Sequence, residues 1–431
     1  MDIYFLSIIN IHRMDYDIII VGAGIAGLRI GIELIKMYPS LSCCILEKYN
    51  YTGGRVFTFR STLPHIGAIQ WENGAGRIST THHKVLSLLK KYDLSTYPIS
   101  SDATYCDTQE MPNDPFARLH DIFLKPLQQL PPHTLQTHTV GELLEKIVGA
   151  HTAKQYYQTF PYWSEIHSLR ADAALLAFGA EMGSMNGFVG CVEGLSSLTT
   201  AMKKEFLRRG GHIQYNMEVR AISSIDKGVE IQCKKQLFAR ICILALHRNA
   251  VATIRGVQHI PVLSKLIMEP LLRMYAVFPV RNKTCWFSEL SKTITNGRIR
   301  FFIPIDPKKG VVMISYTDGA DARYWMKKSP AVVQRMVMTE IRQLFSDRII
   351  PDPLYFTLQP WKDGCTYWRP GRYDIHEESK KSLQPLPNTI PSLFLCGESF
   401  AVQTCWMESA LNQADQLFHL PAFQSALKAL K

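Results

Sequence analysis

The residues best suited to bind a ligand lie near the N-terminus, where three glycines follow the spacing GxGxxG over residues 22–27. The preceding residues, Tyr16 to Val21, are largely β-branched and predict a short buried strand. Apolar residues at helical spacing predict a helix over Leu28 to Met37, and a second predicted strand, Cys43 to Leu46, leads directly to the acidic Glu47. Strand, glycine turn, helix, strand and acid in this order predict a dinucleotide-binding site.

Each of these positions has a physical reason. Gly22 permits a tight turn, Gly24 lets backbone amides approach a pyrophosphate, and Gly27 lets the helix pack closely on the sheet. The helix dipole favours a diphosphate at the helix N-terminus, and Glu47 is placed to accept hydrogen bonds from ribose hydroxyls. These features by themselves are equally compatible with FAD and with NAD.

Two further motifs lie at opposite ends of the chain. Gly53-Gly54-Arg55 follows the first motif closely, and Gly397-Glu398-Ser399 precedes the segment Cys405 to Leu411. Together they resemble the GGR segment and the closing pattern of the flavin-containing amine oxidase family. The resemblance implies that Arg55 lies near the cofactor pyrophosphate and the flavin edge, with a solvated surface turn as the alternative. It also implies that Glu398 contacts the ribityl chain and that the last helix directs amide hydrogens toward a flavin carbonyl.

Weaker matches connect these two ends. Glu72 to Arg77 continues the family pattern, Gly194 to Leu198 opens a predicted helix, and Asn216 to Ala245 alternates polar and apolar residues like the family's small β-meander. Val219 matches the position whose backbone meets the adenine. The cofactor-binding residues expected from the motifs and the resemblance are Gly22, Gly24, Ile25, Ala26, Gly27, Glu47, Lys48, Gly54, Arg55, Gly74, Ala75, Gly76, Arg77, Val219, Gly397, Glu398, Trp406 and Met407.

The resemblance also implies a class of fold and its division into domains. We expect an α/β protein with a Rossmann-like FAD-binding domain of the GR2 type, formed by residues 14–79, 191–261 and 387–431. An interleaved α+β substrate-binding domain would combine a helical insertion over residues 80–190 with a mixed sheet and helices over residues 262–386. At 431 residues the chain is long enough for two units, since compact domains usually have roughly 100–200 residues.

Four residues are candidates for the substrate chemistry, namely Arg77, Arg273, Trp361 and Trp406. Arg77 matches an arginine that lies close to the isoalloxazine and the substrate in the family's amino-acid oxidases. A guanidinium there can hold a carboxylate by two parallel hydrogen bonds, and a contact to the cofactor is the alternative role. Trp361 opens the segment that leads to one aromatic wall of the family's pocket, and Trp406 matches a second wall; such walls align an uncharged amine and exclude water.

Three departures from the family pattern bear on the expected activity. Arg273 occupies the position of a lysine that, in many members, is bridged by water to flavin N5. Because arginine keeps its proton, we expect reoxidation by O2 to be slowed. Cys405 and Ser409 replace two glycines of the last motif, which would alter the approach of the backbone to the flavin. Cys365 lies near the cysteine that tethers the flavin in monoamine oxidases, but the correspondence is loose, and we expect non-covalent FAD.

Charge and composition limit the other classes of function. The net charge is +11, but the basic residues are scattered in short pairs such as Lys203-Lys204, so we expect a solvated surface and no nucleic-acid partner. The 10 cysteines lack metal or disulfide spacing, which favours a reduced, cytoplasmic protein without a metal. No apolar run reaches the roughly 20 residues that would span a bilayer, so no integral membrane association is expected. Residues 1–13 are expected to form an irregular leader, with the fold beginning near Met14.

The sequence thus leads to one main hypothesis and two alternatives. The main hypothesis is an FAD-dependent oxidoreductase that takes a hydride from the α-carbon of an amine or amino acid, giving an imine and reduced FAD. With O2 as the acceptor the second product is hydrogen peroxide; another electron acceptor is also compatible. The alternatives are an FAD-binding protein of this fold with weak or no turnover, in a structural or interaction role, and an FAD-dependent desaturase. A homodimer is one expectation for the assembly.

Overall fold

The computed structural model describes residues 13–100, 102–106, 125–182, 187–386 and 390–430. Apart from Arg13, the expected N-terminal leader lies outside the described residues. In the described ranges the strands are β1 (Tyr16–Val21), β2 (Cys43–Leu46), β3 (Thr58–Leu63), β4 (Gly67–Glu72), β5 (Ile78–Ser79), β6 (Thr96–Ile99), β7 (Ala103–Cys106), β8 (Phe188–Cys191), β9 (His212–Gln214), β10 (Ala221–Ile225), β11 (Gly228–Gln232), β12 (Gln236–Ala245), β13 (Leu266–Val277), β14 (Lys292–Thr295), β15 (Phe301–Asp306), β16 (Val311–Asp318), β17 (Tyr355–Trp368) and β18 (Leu393–Cys396).

The α-helices of the same ranges follow in chain order. They are α1 (Ile25–Met37), α2 (His83–Lys91), α3 (Lys125–Gln128), α4 (Pro132–Thr137), α5 (Val140–Val148), α6 (Ala150–Thr159), α7 (Trp163–His167), α8 (Ala171–Met182), α9 (Ser196–Arg208), α10 (Arg248–Thr253), α11 (Gly319–Met326), α12 (Pro330–Leu344), α13 (Ile375–Ser382), α14 (Met407–His419) and α15 (Pro421–Lys428). Short 3-10 helices cover Pro261–Lys265, Pro307–Lys309 and Glu398–Phe400.

Seven of the described strands form the first sheet, which carries the glycine turn. β1 lies at its centre and pairs in parallel with β12 on one side and β2 on the other. β9 pairs in parallel with β2, β18 with β12, and β10 to β12 form an antiparallel meander. The residues of β1 are buried on both faces, since Ile18 and Ile20 belong to one apolar cluster and Ile19 to another. This explains why the strand is apolar at consecutive positions and does not alternate.

Helix α1 packs on one face of the first sheet and contacts both α9 and α14. Its apolar side chains are buried from Ile25 to Ile35. Helix α14 comes from the C-terminal part of the chain and follows the second distant motif. The packing of α14 beside α1 therefore brings the two ends of the sequence together at one edge of the sheet.

Six of the described strands form the second sheet, in the order β17, β13, β16, β15, β14 and β7. β13 pairs antiparallel with both neighbours, so that Arg273 lies between Gln359 on β17 and Tyr316 on β16. Leu272 and Met274 pack against apolar residues of α11 and α12. Because side chains alternate along a strand, Arg273 points to the opposite face.

The segment 80–190 contains more strand than the sequence indicated. Helices α3 to α8 lie between residues 125 and 182, but β6 pairs antiparallel with β8, and β7 pairs in parallel with β14. The segment expected as a helical insertion thus contains short strands as well as helices. Strands β6 and β7 are each four residues long, which is too short for an alternating pattern to be recognised. The division of the chain into domains remains a prediction.

Two expectations concerned membranes and metals. Among the described residues, no helix has both the length and the apolar character required to cross a bilayer. In the same part of the chain, no three His, Cys, Asp or Glu side chains come together in a group that could hold a metal ion. The ring of His82 accepts a hydrogen bond from the Ser79 amide at 3.3 Å and packs edge-on against Trp406.

Candidate active site

One cavity of about 1040 Å³ combines residues from both sheets. Its wall includes the loops that follow β1, β2, β12 and β18, together with side chains of β13, β16 and β17. All the site residues expected from the sequence line this cavity, except Gly27. Pockets for drug-sized ligands have roughly 300–1,000 Å³, so this cavity lies at the upper end of the range. Its volume suits a dinucleotide with a small substrate beside it.

The glycine turn has the close contacts that its spacing predicts. The φ angle of Gly22 is +104°, and a Cβ atom there would lie 2.6 Å from the carbonyl oxygen of Ala245. A Cβ atom at Gly27 would lie only 2.0 Å from the carbonyl oxygen of Gly22, so Gly27 serves the packing of α1 and does not line the cavity. A Cβ atom at Gly24 would meet nothing within 4 Å. This open side of Gly24 is the place where a ligand can approach the backbone.

The N-terminus of α1 opens toward this space. Gly24 is its N-cap residue, and no side chain caps the helix. The first amide groups of a helix lack partners within the helix, and the helix dipole makes this end positive. Both properties fit the diphosphate of a dinucleotide.

Glu47 lies beside the turn with its carboxylate held by backbone amides. Oε2 accepts a hydrogen bond from the Ala23 amide at 2.8 Å, and Oε1 accepts one from the Tyr49 amide at 2.9 Å. Burial raises the pKa of Glu47 above its usual value, and these hydrogen bonds oppose that effect. Lys48 lines the same part of the cavity and forms a 2.8 Å ion pair with Glu218 at the surface.

Arg55 and Glu398 form an ion pair inside the cavity wall. One Nη of Arg55 binds Oε2 of Glu398, and the other donates to the Gly364 carbonyl at 3.0 Å. The second carboxylate oxygen of Glu398 accepts a hydrogen bond from the Cys405 amide at 3.0 Å. The Arg55 side chain is 31% exposed, and these two partners fix its position. The pair joins the two distant motifs to each other and to β17.

The segment from Asn73 to Arg77 runs beside Arg55 with very little space. A Cβ atom at Gly74 would lie 1.8 Å from the Arg55 carbonyl oxygen, and the Ala75 amide donates to that same oxygen at 2.9 Å. A Cβ atom at Gly76 would approach Nη1 of Arg273 to 3.0 Å. The backbone of Asn73 is fixed from the other side by Trp361, whose Nε1 donates to the Asn73 carbonyl at 2.7 Å.

Arg273 is held by its neighbours in the second sheet. Nη1 donates to the Glu72 carbonyl at 2.6 Å, and the guanidinium lies 5.2 Å from the ring centre of Tyr316. Its Nε atom is buried and has no hydrogen-bond partner among the described residues. Burial acts to lower the pKa of Arg273, but neighbouring tyrosines and Glu72 outweigh burial and raise it above its usual value. Arg273 therefore stays charged.

Arg77 lies in a group of aromatic rings. Its guanidinium is 4.6 Å from the ring centre of Phe188, 5.5 Å from that of Trp406 and 5.9 Å from that of Tyr162. Phe188 and Trp406 are stacked, with an interplanar angle of 13°. Such contacts stabilise a guanidinium by about 1 kcal/mol each when partly exposed. Arg77 and Trp406, which the sequence placed far apart, thus share one wall.

Several residues of the cavity were missed in the sequence. These are Glu165, Tyr316 and Asp318; Tyr367, which belongs to the expected aromatic segment that Trp361 opens, lines the cavity too. The Tyr367 hydroxyl donates to Glu165 at 3.3 Å, and Asp318 accepts hydrogen bonds from the backbone amides of residues 163 and 164 at 2.9 and 2.8 Å. These acids come from α7 and β16, where no local pattern distinguishes them from surface residues.

Cys405 has an unusual backbone conformation for a residue with a side chain. Its φ angle is +72°, in the left-handed region that favours glycine. A non-glycine residue costs about 1 kcal/mol or more there. The resemblance places a glycine at this position, and the backbone keeps the conformation that a glycine would adopt.

His247 is a titratable residue of the cavity wall that provides a pH-dependent test. Burial lowers the pKa of His247 from its usual 6.5 to about 4, and the nearby Arg55 contributes. Because the folded protein binds a proton at His247 less readily than the unfolded chain does, His247 contributes its full stability above about pH 6.5. This contribution is lost as the pH falls toward about 4. We expect the free energy of unfolding to fall by about 2 kcal/mol through this group between pH 7 and pH 5.

The control for this prediction is His247→Asn, because asparagine retains an acceptor for the Ala250 amide, which donates to His247 Nδ1 at 3.3 Å. Urea unfolding of both proteins at the two pH values gives the difference. A variant that loses as much stability on acidification as the parent would contradict the assignment.

Comparisons with known proteins identify the family and the fold of the chain. A family model described as flavin containing amine oxidoreductase matches residues 25–416. A comparison with curated proteins finds no match. Among solved structures, cyclohexylamine oxidase from Brevibacterium oxydans IH-35A is similar with a TM-score of 0.76 and 18% identity, over 96% of this chain and 99% of that chain.

Two further structures are similar over nearly their full length. Putrescine oxidase bound to putrescine has a TM-score of 0.71 at 16% identity, covering 96% of this chain and 99% of that chain. A putative protoporphyrinogen oxidase from Exiguobacterium sp. 255-15 has a TM-score of 0.71 at 18% identity, covering 97% of this chain and 100% of that chain. At such identities the likeness concerns the fold, which is the Rossmann-like flavoprotein fold expected from the sequence.

Proposed function

The chain belongs to the flavin-containing amine oxidoreductase family, and on that premise we propose that it oxidises the C–N bond of an amine or amino acid to an imine, with FAD as the cofactor. The observation that carries the proposal is the continuity of one cavity. The same space extends from the glycine turn to the aromatic wall around Arg77 and Trp406. A cofactor held at one end therefore has a substrate pocket at the other.

The residues of the cavity fit FAD. The open side of Gly24 and the uncapped start of α1 would receive the diphosphate, and Glu47 would bind ribose hydroxyls. Val219 lines the cavity and would contact the adenine, while Arg55 and Glu398 would lie along the flavin and its ribityl chain. We propose non-covalent binding. When bound, FAD supplies the two-electron acceptor for the amine.

The substrate pocket would select the uncharged form of the amine. The cationic guanidinium of Arg77 repels an ammonium group, and the rings around it exclude water. Trp361 and Trp406 would orient the reacting carbon. For an amino acid, Arg77 would hold the carboxylate by paired hydrogen bonds; for a simple amine, it would contact the cofactor. O2 or another acceptor would complete the cycle, with hydrogen peroxide formed from O2.

Arg273 provides a prediction about the oxygen step. A lysine would be shorter, so it would leave room for a water molecule and retain a removable proton. We expect Arg273→Lys to accelerate reoxidation of the reduced protein by O2 at least about tenfold. The measurement is stopped-flow mixing of anaerobically reduced protein with oxygenated buffer. An unchanged rate would show that Arg273 does not limit this step.

A second candidate function is flavin binding without turnover. The observation that favours it is Arg273, which is fixed by the Glu72 carbonyl and stays charged. The fold by itself also leaves a desaturase as an alternative. Anaerobic titration of the flavin-loaded protein with a panel of amines and amino acids separates these cases. We expect at least one amine or amino acid to bleach the flavin; bleaching by dithionite alone would favour the second candidate.

The variant Trp406→Phe tests the role of the aromatic wall in this titration, because it keeps an aromatic side chain with a smaller ring. We expect the same substrate to bleach it more slowly, by about tenfold, while its flavin content is unchanged. Equal loss of flavin and turnover would instead assign Trp406 to cofactor binding alone.

A further inference from the structure

Two cysteines face the cavity from different parts of the chain. Cys365 lies on β17 and Cys405 in the loop before α14, and of the 10 cysteines, all of which are free, only these two line the cavity. The Cys405 thiol donates to the carbonyl oxygen of Thr366 at 3.2 Å, which places it beside the residue that follows Cys365. Cys365 is also close enough to Cys405 to raise the pKa of the Cys405 thiol.

The Arg55–Glu398 ion pair holds both cysteine-bearing segments in place. Arg55 donates to the carbonyl of Gly364, the residue before Cys365, at 3.0 Å. Glu398 accepts the amide hydrogen of Cys405 at 3.0 Å, where the backbone has a φ angle of +72°. The same ion pair therefore holds the backbone of Cys405, through Glu398, and the backbone next to Cys365, through Arg55.

The two thiols share one charged neighbour. The positive charge of Arg55 lies close enough to interact with both sulfur atoms. Burial and the neighbouring Cys365 raise the pKa of the Cys405 thiol well above its usual value. A thiol with a raised pKa is a poor nucleophile, so we assign the first attack on an oxidant to Cys365 and not to Cys405.

We propose that Cys365 and Cys405 form a redox-active dithiol in the cavity wall, which hydrogen peroxide converts to a disulfide. The Cys365 thiol loses its proton and its sulfur attacks one peroxide oxygen; the O–O bond breaks, a sulfenic acid forms, and the leaving hydroxide takes up that proton to give one water. The Cys405 sulfur then attacks the sulfenic sulfur, the S–S bond forms, the S–O bond breaks, and a second water leaves. The two sulfur atoms together supply the two electrons that reduce one peroxide molecule.

The disulfide would join β17 to the start of α14 and replace the hydrogen bond from Cys405 to the Thr366 carbonyl. Hydrogen peroxide is the product that the proposed oxidase reaction forms from O2. The dithiol chemistry itself requires peroxide only. It can therefore be tested without an amine, and its outcome is independent of the proposed amine oxidation.

The test uses the full-length protein, reduced, desalted and treated with a small molar excess of hydrogen peroxide. The protein is then denatured in N-ethylmaleimide, digested without reduction and analysed by mass spectrometry. We expect a peptide pair linked through Cys365 and Cys405, and the loss of two of the 10 alkylatable thiols. Dithiothreitol should restore both thiols.

Variants provide the controls. Cys233→Ser removes a thiol outside the cavity and should form the same linked peptide. Cys365→Ser and Cys405→Ser should each form no linked peptide. Recovery of both cysteines as maleimide adducts in the parent protein would overturn the proposal, as would their oxidation to sulfinic acids without a linked peptide. The parent protein alone decides the question if a variant fails to fold.

Discussion

Gly24→Ala is expected to weaken FAD binding about 100-fold, which corresponds to about 2.8 kcal/mol, with little effect on the fold. A Cβ atom at Gly24 meets no protein atom within 4 Å, and the φ angle of −74° is accessible to alanine. The methyl group would instead occupy the space in which the diphosphate approaches the backbone. Alanine at the N-cap costs less than about 1 kcal/mol relative to glycine. Titration of the flavin-free protein with FAD, beside its thermal unfolding, separates the two effects.

Gly27→Ala should affect the fold as well as the cofactor. Its Cβ atom would lie 2.0 Å from the Gly22 carbonyl oxygen, so α1 must move away from β1. We expect a loss of about 3 kcal/mol of stability. Gly179 is the matched control, because it is exposed in α8 and a Cβ atom there also meets nothing within 4 Å. Gly179→Ala should leave the FAD affinity unchanged. If Gly24→Ala bound FAD as tightly as Gly179→Ala, the diphosphate would not lie at this turn.

Arg55→Met is expected to destabilise the flavin-free protein by about 3 kcal/mol or more. Removal of the guanidinium leaves the carboxylate of Glu398, whose side chain is 7% exposed, without its ionic partner. Glu398→Gln alone should cost less, because it leaves a neutral amide beside Arg55. Urea unfolding of the purified variants measures both changes.

The double variant Arg55→Met with Glu398→Gln completes this cycle. Because it contains no uncompensated buried charge, we expect it to be more stable than the sum of the single changes by about 2 kcal/mol. Strictly additive changes would mean that the pair contributes no coupling energy. In that case the ion pair would not hold the two motifs together.

The parts of this site that could be predicted from the sequence are those with a local pattern. The order of strand, turn, helix and acid lies within Tyr16 to Glu47, and Gly27 packs closely on the carbonyl group of the nearby Gly22. The same holds for the meander, whose strands are joined by short turns. Local sequence determines such units because the residues that must pack are close together along the chain.

The remaining parts depend on contacts between distant residues. Arg55 and Glu398 are 343 positions apart, and nothing in either motif indicates that they pair with each other. Phe188 and Tyr162 join Arg77 only because strands β6 and β8 and helix α7 fold beside the cavity. The resemblance predicted that Glu398 contacts a ribityl chain, and this role stays a prediction beside its observed pairing with Arg55.

The flavin content of the purified protein tests the central claim most directly. If the glycine turn and the start of α14 enclose one nucleotide, the folded protein should show the two visible flavin absorption bands. After saturation with added FAD and removal of the excess, denaturation should release one FAD per chain. A protein that is folded by circular dichroism, colourless as purified and unable to retain added FAD would contradict the account.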